Sequence, residues 1–320
     1  MSDIAVSICV LTYNHAKYLR KCLDSMLMQK TNFRFEIIVH DDASTDDTQS
    51  ILLEYREKHP QIINLILQKE NLHSQGVKRI FHIPEKQAVG KYIALCEGDD
   101  FWIDENKLQK QYDFMENNPD CSLCIHGVKT IYENDSNNVG YIRHKGSEGY
   151  ISLTDVIKIN QHMTSAKFYR RELRENYPDY YFNALWGDYP QNVYFAASGK
   201  VYYLDEFMSM YRLNVPNSAI TSAVKTDENR IKASLRFLTM LDEMDAYYNY
   251  KYKKAFDFER AWRFYRICFT VGNIKDIKKD YGNIYYSLPI KYRIFININF
   301  LSPSLYSKLT ALRRKILLKK

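Results

Sequence analysis

The spacing of apolar residues changes period repeatedly along the first third of the chain, and this constrains the fold more than any other feature. Ala5-Val6-Ser7-Ile8-Cys9-Val10-Leu11 is a nearly continuous apolar run, the pattern of a strand buried on both faces of a parallel sheet. Tyr18, Leu19, Cys22, Leu23, Met26 and Leu27 then recur at helical spacing. A second strand is predicted over Phe35 to Val39, ending abruptly in His40-Asp41-Asp42. Asp46-Asp47-Thr48 opens a helix running to about Lys58, with side-chain acceptors beside its free amides. Further strands are predicted over residues 62–67 and 91–96, then a helix from Asp104 to about Asn117, stopped by Pro119. Strands alternating with helices predict an α/β fold, a mostly parallel sheet with helices on its faces.

Residues 133–149 are polar, with Asn134-Asp135-Ser136-Asn137-Asn138 and three glycines, and are predicted to be a loop. They divide a domain of residues 1–215 into halves, 1–132 and 133–215. The second half has shorter, mixed elements to about Arg212, and residues 216–320 form a helical C-terminal region whose pattern is clearest from Lys225 to Val271.

The net charge of +7 is localised. Lys291, Arg293, Lys308, Arg313, Arg314, Lys315, Lys319 and Lys320 are eight basic residues in a stretch without acids, and +7 less these eight leaves −1 for the remaining chain. That argues against a general nucleic-acid surface. Within residues 304–320, Leu305, Leu309, Leu312 and Ile316 recur at helical spacing among the basic residues. Two readings stay open: an interfacial helix on anionic lipid of an inner leaflet, or a helix packed on the protein with a solvated basic end.

The six cysteines lie mostly in apolar segments and read as buried thiols of a reducing compartment. Cys121-Ser122-Leu123-Cys124, with His126 nearby, lacks a second ligand pair at zinc spacing and is read as a strand with inward cysteines. The N-terminus has no signal-peptide pattern, and no run approaches the roughly 20 apolar residues of a membrane span. The expected location is therefore cytoplasmic, with the inner face of the plasma membrane as the alternative.

Acidic residues at strand ends carry the chemistry. Asp41 and Asp42 close the second strand, and Glu97-Gly98-Asp99-Asp100 closes the fourth. Ligands of open parallel sheets bind beyond the carboxyl ends of the strands, so both clusters face one crevice. Crowded carboxylates repel one another unless a cation or hydrogen-bond donors share the space. Mg²⁺ and Mn²⁺ take one or two carboxylates and complete their shell with water and phosphate oxygens. Such an ion neutralises a diphosphate leaving group. Asp46 and Asp47 are read as helix-capping acids; Asp42, Asp99 and Asp100 are read as functional.

Three segments, Ser7 to Asn14, Glu36 to Asp46 and Gly90 to Asp100, closely resemble the successive motifs of the inverting family 2 glycosyltransferases. The resemblance covers at least residues 4–132 and continues more loosely to about 215. It implies the GT-A fold, a Rossmann-like mixed and mostly parallel sheet flanked by helices, here with a helical C-terminal extension. It also implies a donor half at 1–132 and an acceptor half at 133–215. The Thr12-Tyr13-Asn14 turn would hold the nucleotide base and ribose, and Asp42 would accept from the imide N–H of uracil or thymine. Asp99 would face ribose or metal and Asp100 would ligate Mn²⁺ or Mg²⁺. Glu97 replaces an aspartate common in the family. Residues 71–76 depart from the family's alanine-arginine-asparagine pattern, and Lys78 and Arg79 stand near the expected donor-phosphate arginine.

In the second half, Leu185-Trp186-Gly187-Asp188-Tyr189-Pro190 is similar to the family's base motif. Asp188 would take the acceptor proton; a helix N-cap is the alternative reading. His162-Met163-Thr164-Ser165 resembles an acceptor-side segment, with His162 either lining the site or structural, and Trp186 is a further acceptor-side candidate. Arg212 of Tyr211-Arg212 would meet the diphosphate or pair with a core carboxylate. The resemblance implies a UDP- or dTDP-sugar donor and a glycan or lipid-linked acceptor, in capsule, O-antigen or exopolysaccharide synthesis. The rivals are a sugar nucleotidyltransferase, which would carry a glycine-rich basic loop where Thr12 to Lys17 stand, and a catalytically silent membrane partner, which would not need Asp99, Asp100 and Asp188.

Overall fold

The computed structural model describes residues 4–77, 80–144, 147–158, 163–184, 186–216 and 225–301. The apolar run becomes β1 (Ile4–Thr12), paired in parallel with β2 (Arg34–Asp41) on one side and β4 (Tyr92–Glu97) on the other. β3 (Ile63–Leu67) extends the sheet beyond β2. The order β3-β2-β1-β4 therefore reverses between β1 and β4, the place where such sheets open a crevice.

Beyond β4 the sheet becomes mixed. β9 (Phe168–Arg170) is antiparallel to both β4 and β6 (Cys121–Tyr132), and β6 runs parallel to β10 (Lys200–Leu213). β5 (Phe101–Trp102) and β8 (Gly149–Ile151) pair antiparallel with β10. All these strands form one sheet. Helices α1 (Ala16–Leu27), α2 (Thr48–Lys58), α3 (His82–Gln87) and α4 (Lys107–Asn117) belong to the first half. α1 sends Leu19, Cys22, Leu23 and Met26 into a core shared with Val6, Ile8 and Val10 of β1. All six cysteines are buried and free.

Residues 133–149 are not the loop their composition predicts. β7 (Asp135–Ile142) returns antiparallel along β6 after a turn at Glu133-Asn134. Exposed Asp135, Asn137 and Asn138 give this strand a polar composition, which a search for buried apolar runs passes over.

One buried carboxylate fastens the first strands. Glu36 Oε1 accepts from Ser7 Oγ at 2.6 Å and from the Val89 N–H at 3.1 Å, while Oε2 accepts from Asn64 Nδ2 at 3.0 Å. Ser7 Oγ in turn accepts the Gly90 N–H at 2.9 Å. Gly90 lies so close to β1 that a Cβ there would stand 2.7 Å from the Ser7 nitrogen.

The chain forms two compact units, one of residues 1–153, 161–182 and 187–215, the other of 154–160, 183–186 and 216–320. Helices α5 (Leu153–Lys158), α6 (Asp179–Asn183) and α7 (Asp188–Ser198) lie between the later strands in sequence. In the second unit, α8 (Asp227–Tyr247) packs with α9 (Lys253–Val271), and Arg260 pairs with Asp242, Asp245 and Asp257. α10 (Ile274–Asp280), α11 (Gly282–Ser287) and α12 (Ile290–Leu301) follow. Among the described residues no helix is long and apolar enough to cross a membrane. The basic segment 304–320 lies outside the described residues.

Replacing Glu36 by Ala removes the acceptor of the buried Ser7 hydroxyl and of two part-buried donors, the Val89 N–H and Asn64 Nδ2. An unsatisfied buried group costs about 1–3 kcal/mol, so Glu36→Ala should lower unfolding stability by about 1–3 kcal/mol. Urea denaturation measures this; a loss under about 1 kcal/mol would show that the clamp contributes little.

Candidate active site

The turn after β4 is stitched onto the end of β1. The Leu11 carbonyl accepts the Gly98 N–H at 2.9 Å, and the Thr12 carbonyl accepts the Asp42 N–H at 3.0 Å. Gly98 leaves no room for a side chain: a Cβ would stand 2.8 Å from Thr12 Oγ1 and 2.9 Å from His15 Nδ1. Among the described residues both of those polar atoms are buried without a hydrogen-bond partner, and His15 Nε2 is 3.8 Å from Asp99 Oδ2.

The loops that follow β1 and β2 brace each other. Asn14, in the left-handed region at φ 55°, accepts the Thr45 N–H on Oδ1 at 2.7 Å. Ser44 Oγ accepts from the Asn14 N–H, Thr48 Oγ1 from His15 and Asp46 Oδ2 from Ala16, at 2.8, 2.9 and 3.1 Å. Tyr13 stands on this loop with its residue surface 41% exposed. Asp42 is fully buried; its carboxylate accepts the backbone N–H groups of Leu72 and His73 at 2.8 and 3.0 Å. It thereby anchors the turn that departs from the family's usual sequence.

Asp99 and Asp100 are held by Arg212 of β10. The Arg212 backbone N–H donates to Asp100 Oδ1 at 2.9 Å, and its Nε donates to the Asp99 carbonyl at 2.8 Å. The guanidinium lies 5.0 and 5.1 Å from the ring centres of Tyr18 and Phe101, a cation–π arrangement. Among the described residues it forms no ion pair with a core carboxylate.

Acids from both halves of the domain meet here. Burial pushes the Glu97 carboxyl well up, and the charges of Asp99 and Asp188 push the same way against Lys167. Burial also raises Asp100, reinforced by Asp99, Cys96 and Glu97 and opposed by the Arg212 N–H. The Tyr211 phenol is raised first by burial and then by Glu97, Asp100, Asp99 and Asp188. Among the described residues Asp100 Oδ2 is buried with no hydrogen-bond partner. Among the described residues no three His, Cys, Asp or Glu side chains converge as a ligand set. This donor set fits a hard divalent cation that takes one or two carboxylates and completes its shell from phosphate and water.

Asp188 is the first residue of α7, after Gly187 at the N-cap, and among the described residues its carboxylate accepts from side chains only. Oδ1 accepts from Lys167 Nζ at 2.7 Å and from Thr164 Oγ1 at 2.9 Å. Thr12, Asp99, Asp100, Arg212 and Asp188 are thus brought to one region. Trp186 belongs to the helical unit, where its ring lies 6.2 Å from that of Phe237. Lys78, Arg79 and His162 lie outside the described residues. His15 and Lys167 are not among the sequence candidates, and Thr164 and Tyr211 stand there only as motif neighbours of His162 and Arg212. Lys167 left a signal, a lone charge in the apolar run Ala166-Lys167-Phe168-Tyr169; the others are ordinary polar residues placed by the fold.

Asn14→Ala should cost about 1–2 kcal/mol, from a left-handed backbone that alanine resists and from the lost Thr45 contact. Asn14→Asp, which keeps an acceptor oxygen and tolerates this conformation, should remain near the wild type in urea unfolding. Equal loss in both variants would contradict the bracing role.

The glycosyl transferase family 2 pattern matches residues 7–177. An uncharacterised protein of Mycobacterium tuberculosis is 34% identical over 228 residues, covering 70% of this chain but only 64% of that relative. Staphylococcus aureus TarS, a poly(ribitol-phosphate) beta-N-acetylglucosaminyltransferase, is 32% identical over 111 residues, 34% of this chain and 18% of TarS. Its residues 1–349, solved with UDP-GlcNAc, superpose with a TM-score of 0.56 at 16% identity, covering 90% of this chain and 83% of that one. A Pyrobaculum calidifontis mannosyltransferase, solved with GDP-Man and Mn²⁺, gives a TM-score of 0.52 at 13% identity, covering 95% and 89%. At these identities the two structures speak for the fold alone, a GT-A sheet with helices on its faces. With the family pattern spanning more than half of the 320 residues, this chain belongs to glycosyl transferase family 2.

Proposed function

We propose that this protein is a metal-dependent, inverting hexosyltransferase that moves a sugar from a UDP- or dTDP-activated donor to a hydroxyl of a glycan or lipid-linked acceptor. The observation that carries this reading is the meeting of Asp99, Asp100 and Arg212 with Asp188 at the carboxyl end of β4. Thr12, Tyr13 and Asn14 would border base and ribose, and Asp42, whose oxygens also accept the Leu72 and His73 N–H groups, would accept from the imide N–H of the base. Lys78 and Arg79 are proposed donor-phosphate contacts, and His162 and Trp186 acceptor-side contacts. When bound, Mn²⁺ or Mg²⁺ would be held by Asp100, with Asp99, and would neutralise charge on the departing diphosphate.

The remaining chemistry belongs to the chain. Asp188 would accept the proton of the acceptor hydroxyl as that oxygen attacks the anomeric carbon from the face opposite the diphosphate, which inverts the configuration. The guanidinium of Arg212, oriented by Tyr18, Phe101 and the Asp99 carbonyl, would meet the diphosphate. The TarS relationship supports a place in bacterial surface-polymer synthesis. Residues 304–320 would provide contact with the inner leaflet.

The nucleotidyltransferase reading is disfavoured because Asn14, His15 and Ala16 at the β1–α1 turn already give their N–H groups to Ser44, Thr48 and Asp46. Those amides are not available to cradle phosphates.

Calorimetric titration of UDP and dTDP, with and without Mn²⁺, tests the reading. Wild type should bind one of them more tightly with Mn²⁺, Asp100→Ala should lose that enhancement, and Asp188→Asn should bind as wild type while losing transfer. Metal-independent binding, or transfer retained by Asp188→Asn, would remove the corresponding part of the mechanism.

A further inference from the structure

We propose that Lys167 is the positioning residue for the transfer base. It fixes Asp188 through one carboxylate oxygen so that the other is left to face the acceptor hydroxyl. The inference rests on the reading of Asp188 as base and adds what holds that base in place.

The ammonium of Lys167 is fully buried, while the Asp188 side chain is 42% exposed. Nζ is 2.7 Å from Asp188 Oδ1 and 2.8 Å from Gln191 Oε1. Thr164 Oγ1 donates to the same Asp188 oxygen at 2.9 Å. Two donors therefore converge on Oδ1, and among the described residues Oδ2 has no hydrogen-bond partner. An exposed carboxylate with no such tether would rotate among several orientations; one with both donors on a single oxygen presents its second oxygen in a defined direction.

A buried ammonium is tolerated only when it is paired and hydrogen-bonded, and here the pairing extends inward. Gln191 Nε2 donates to the Tyr177 hydroxyl at 2.8 Å and to Glu85 Oε1 at 3.2 Å. Fully buried Glu85 also accepts from the Tyr169 hydroxyl and lies 3.1 Å from His82 Nδ1 through Oε2. Gln191 is thus oriented from behind, its amide oxygen turned to Lys167. Gln191 lies on α7, one turn after Asp188, so Lys167 grips two successive points of the helix that carries the base.

The backbone of Lys167 ties this grip to the donor side. Its carbonyl accepts the Leu95 N–H of β4 at 3.4 Å, two residues before Glu97. The lysine is thereby a strut between the strand that ends in the donor acids and the helix that begins with the base. A misplacement of about 1 Å can cost on the order of 10²-fold in rate, which sets the effect expected when the strut is removed.

The test compares wild type, Lys167→Met, Lys167→Arg and Asp188→Asn, with turnover read as UDP release from UDP-glucose or UDP-N-acetylglucosamine with water as acceptor. UDP affinity and thermal unfolding are measured in parallel. In Lys167→Met, kcat should fall on the order of 10²-fold while UDP affinity and donor KM stay within about twofold. Lys167→Arg, which keeps a buried donor, should recover part of the loss, and adding Asp188→Asn to Lys167→Met should lower kcat no further than Asp188→Asn alone. A kcat within about twofold of wild type in Lys167→Met, with Asp188→Asn inactive, would overturn the positioning role and leave the base reading standing. Loss of UDP binding in step with kcat would equally overturn it, as a general structural defect. An active Asp188→Asn would remove the base reading, and this proposal with it.

Discussion

The parallel pairing of β1 on both sides is the constraint from which the site follows. A strand flanked in parallel by β2 and β4 sends all three chains out at the same edge, and the returning helices must leave from there. Thr12, Asp41 and Glu97 are then level by register, Thr12 opposite Asp41 and Leu11 opposite Glu97. The crevice at the reversal of strand order is therefore lined by loop residues whose positions are set by backbone ladders rather than by their own packing. Gly98 shows how tight that fit is, since the turn carrying the acids lies directly against Thr12 and His15.

Gathering Glu97, Asp99, Asp100 and Asp188 at one edge is electrostatically unfavourable, and the structure compensates only in part. Arg212 offers Asp100 a backbone N–H and keeps its guanidinium between Tyr18 and Phe101, while Lys167 engages Asp188. The raised carboxyls of Glu97 and Asp100, and the unpartnered Asp100 oxygen, are what remains uncompensated. Raised first by burial, these carboxyls hold their protons more readily than free acids, and any ligand that neutralised them would stabilise the fold through the same groups. The apolar core beneath, with Val6, Ile8, Val10 and the inner face of α1 fully buried, offsets that local penalty.

The first half is legible in the sequence because its signals are local. Strands buried on both faces read as apolar runs, α1 reads by its spacing, and acids abruptly following an apolar run mark a strand end. The second half was less legible because its strands answer to partners far along the chain. β7 is polar and its composition reads as a loop, and the long β10 lies beside β6, β5 and β8 with breaks in its register. Asp188 was found through a motif, but Lys167 was not, since nothing nearby in sequence shows that a lysine of one strand and an acid of a later helix meet. Tyr211 likewise joins the acids only because β10 crosses behind the turn at Asp99.

The mixed character of the sheet explains how Asp188 reaches the parallel first half at all. A further parallel strand beside β4 would present its carboxyl end at the crevice and its start at the opposite edge. β9 runs the other way: Phe168 stands opposite Ala94 and Arg170 opposite Tyr92, so the residue just before β9 arrives beside the end of β4. That residue is Lys167, bonded to Leu95 through its carbonyl and to Asp188 through its side chain. At the far end of the same strand, Arg170 donates to the carbonyls of Cys121, Met115 and Asn118, fastening β9 to the end of α4 and the start of β6. A three-residue strand is thus pinned at its far end by a guanidinium and at its near end by an ammonium. Its antiparallel direction lets the acids of the first half and the acid of α7 share one edge of the sheet.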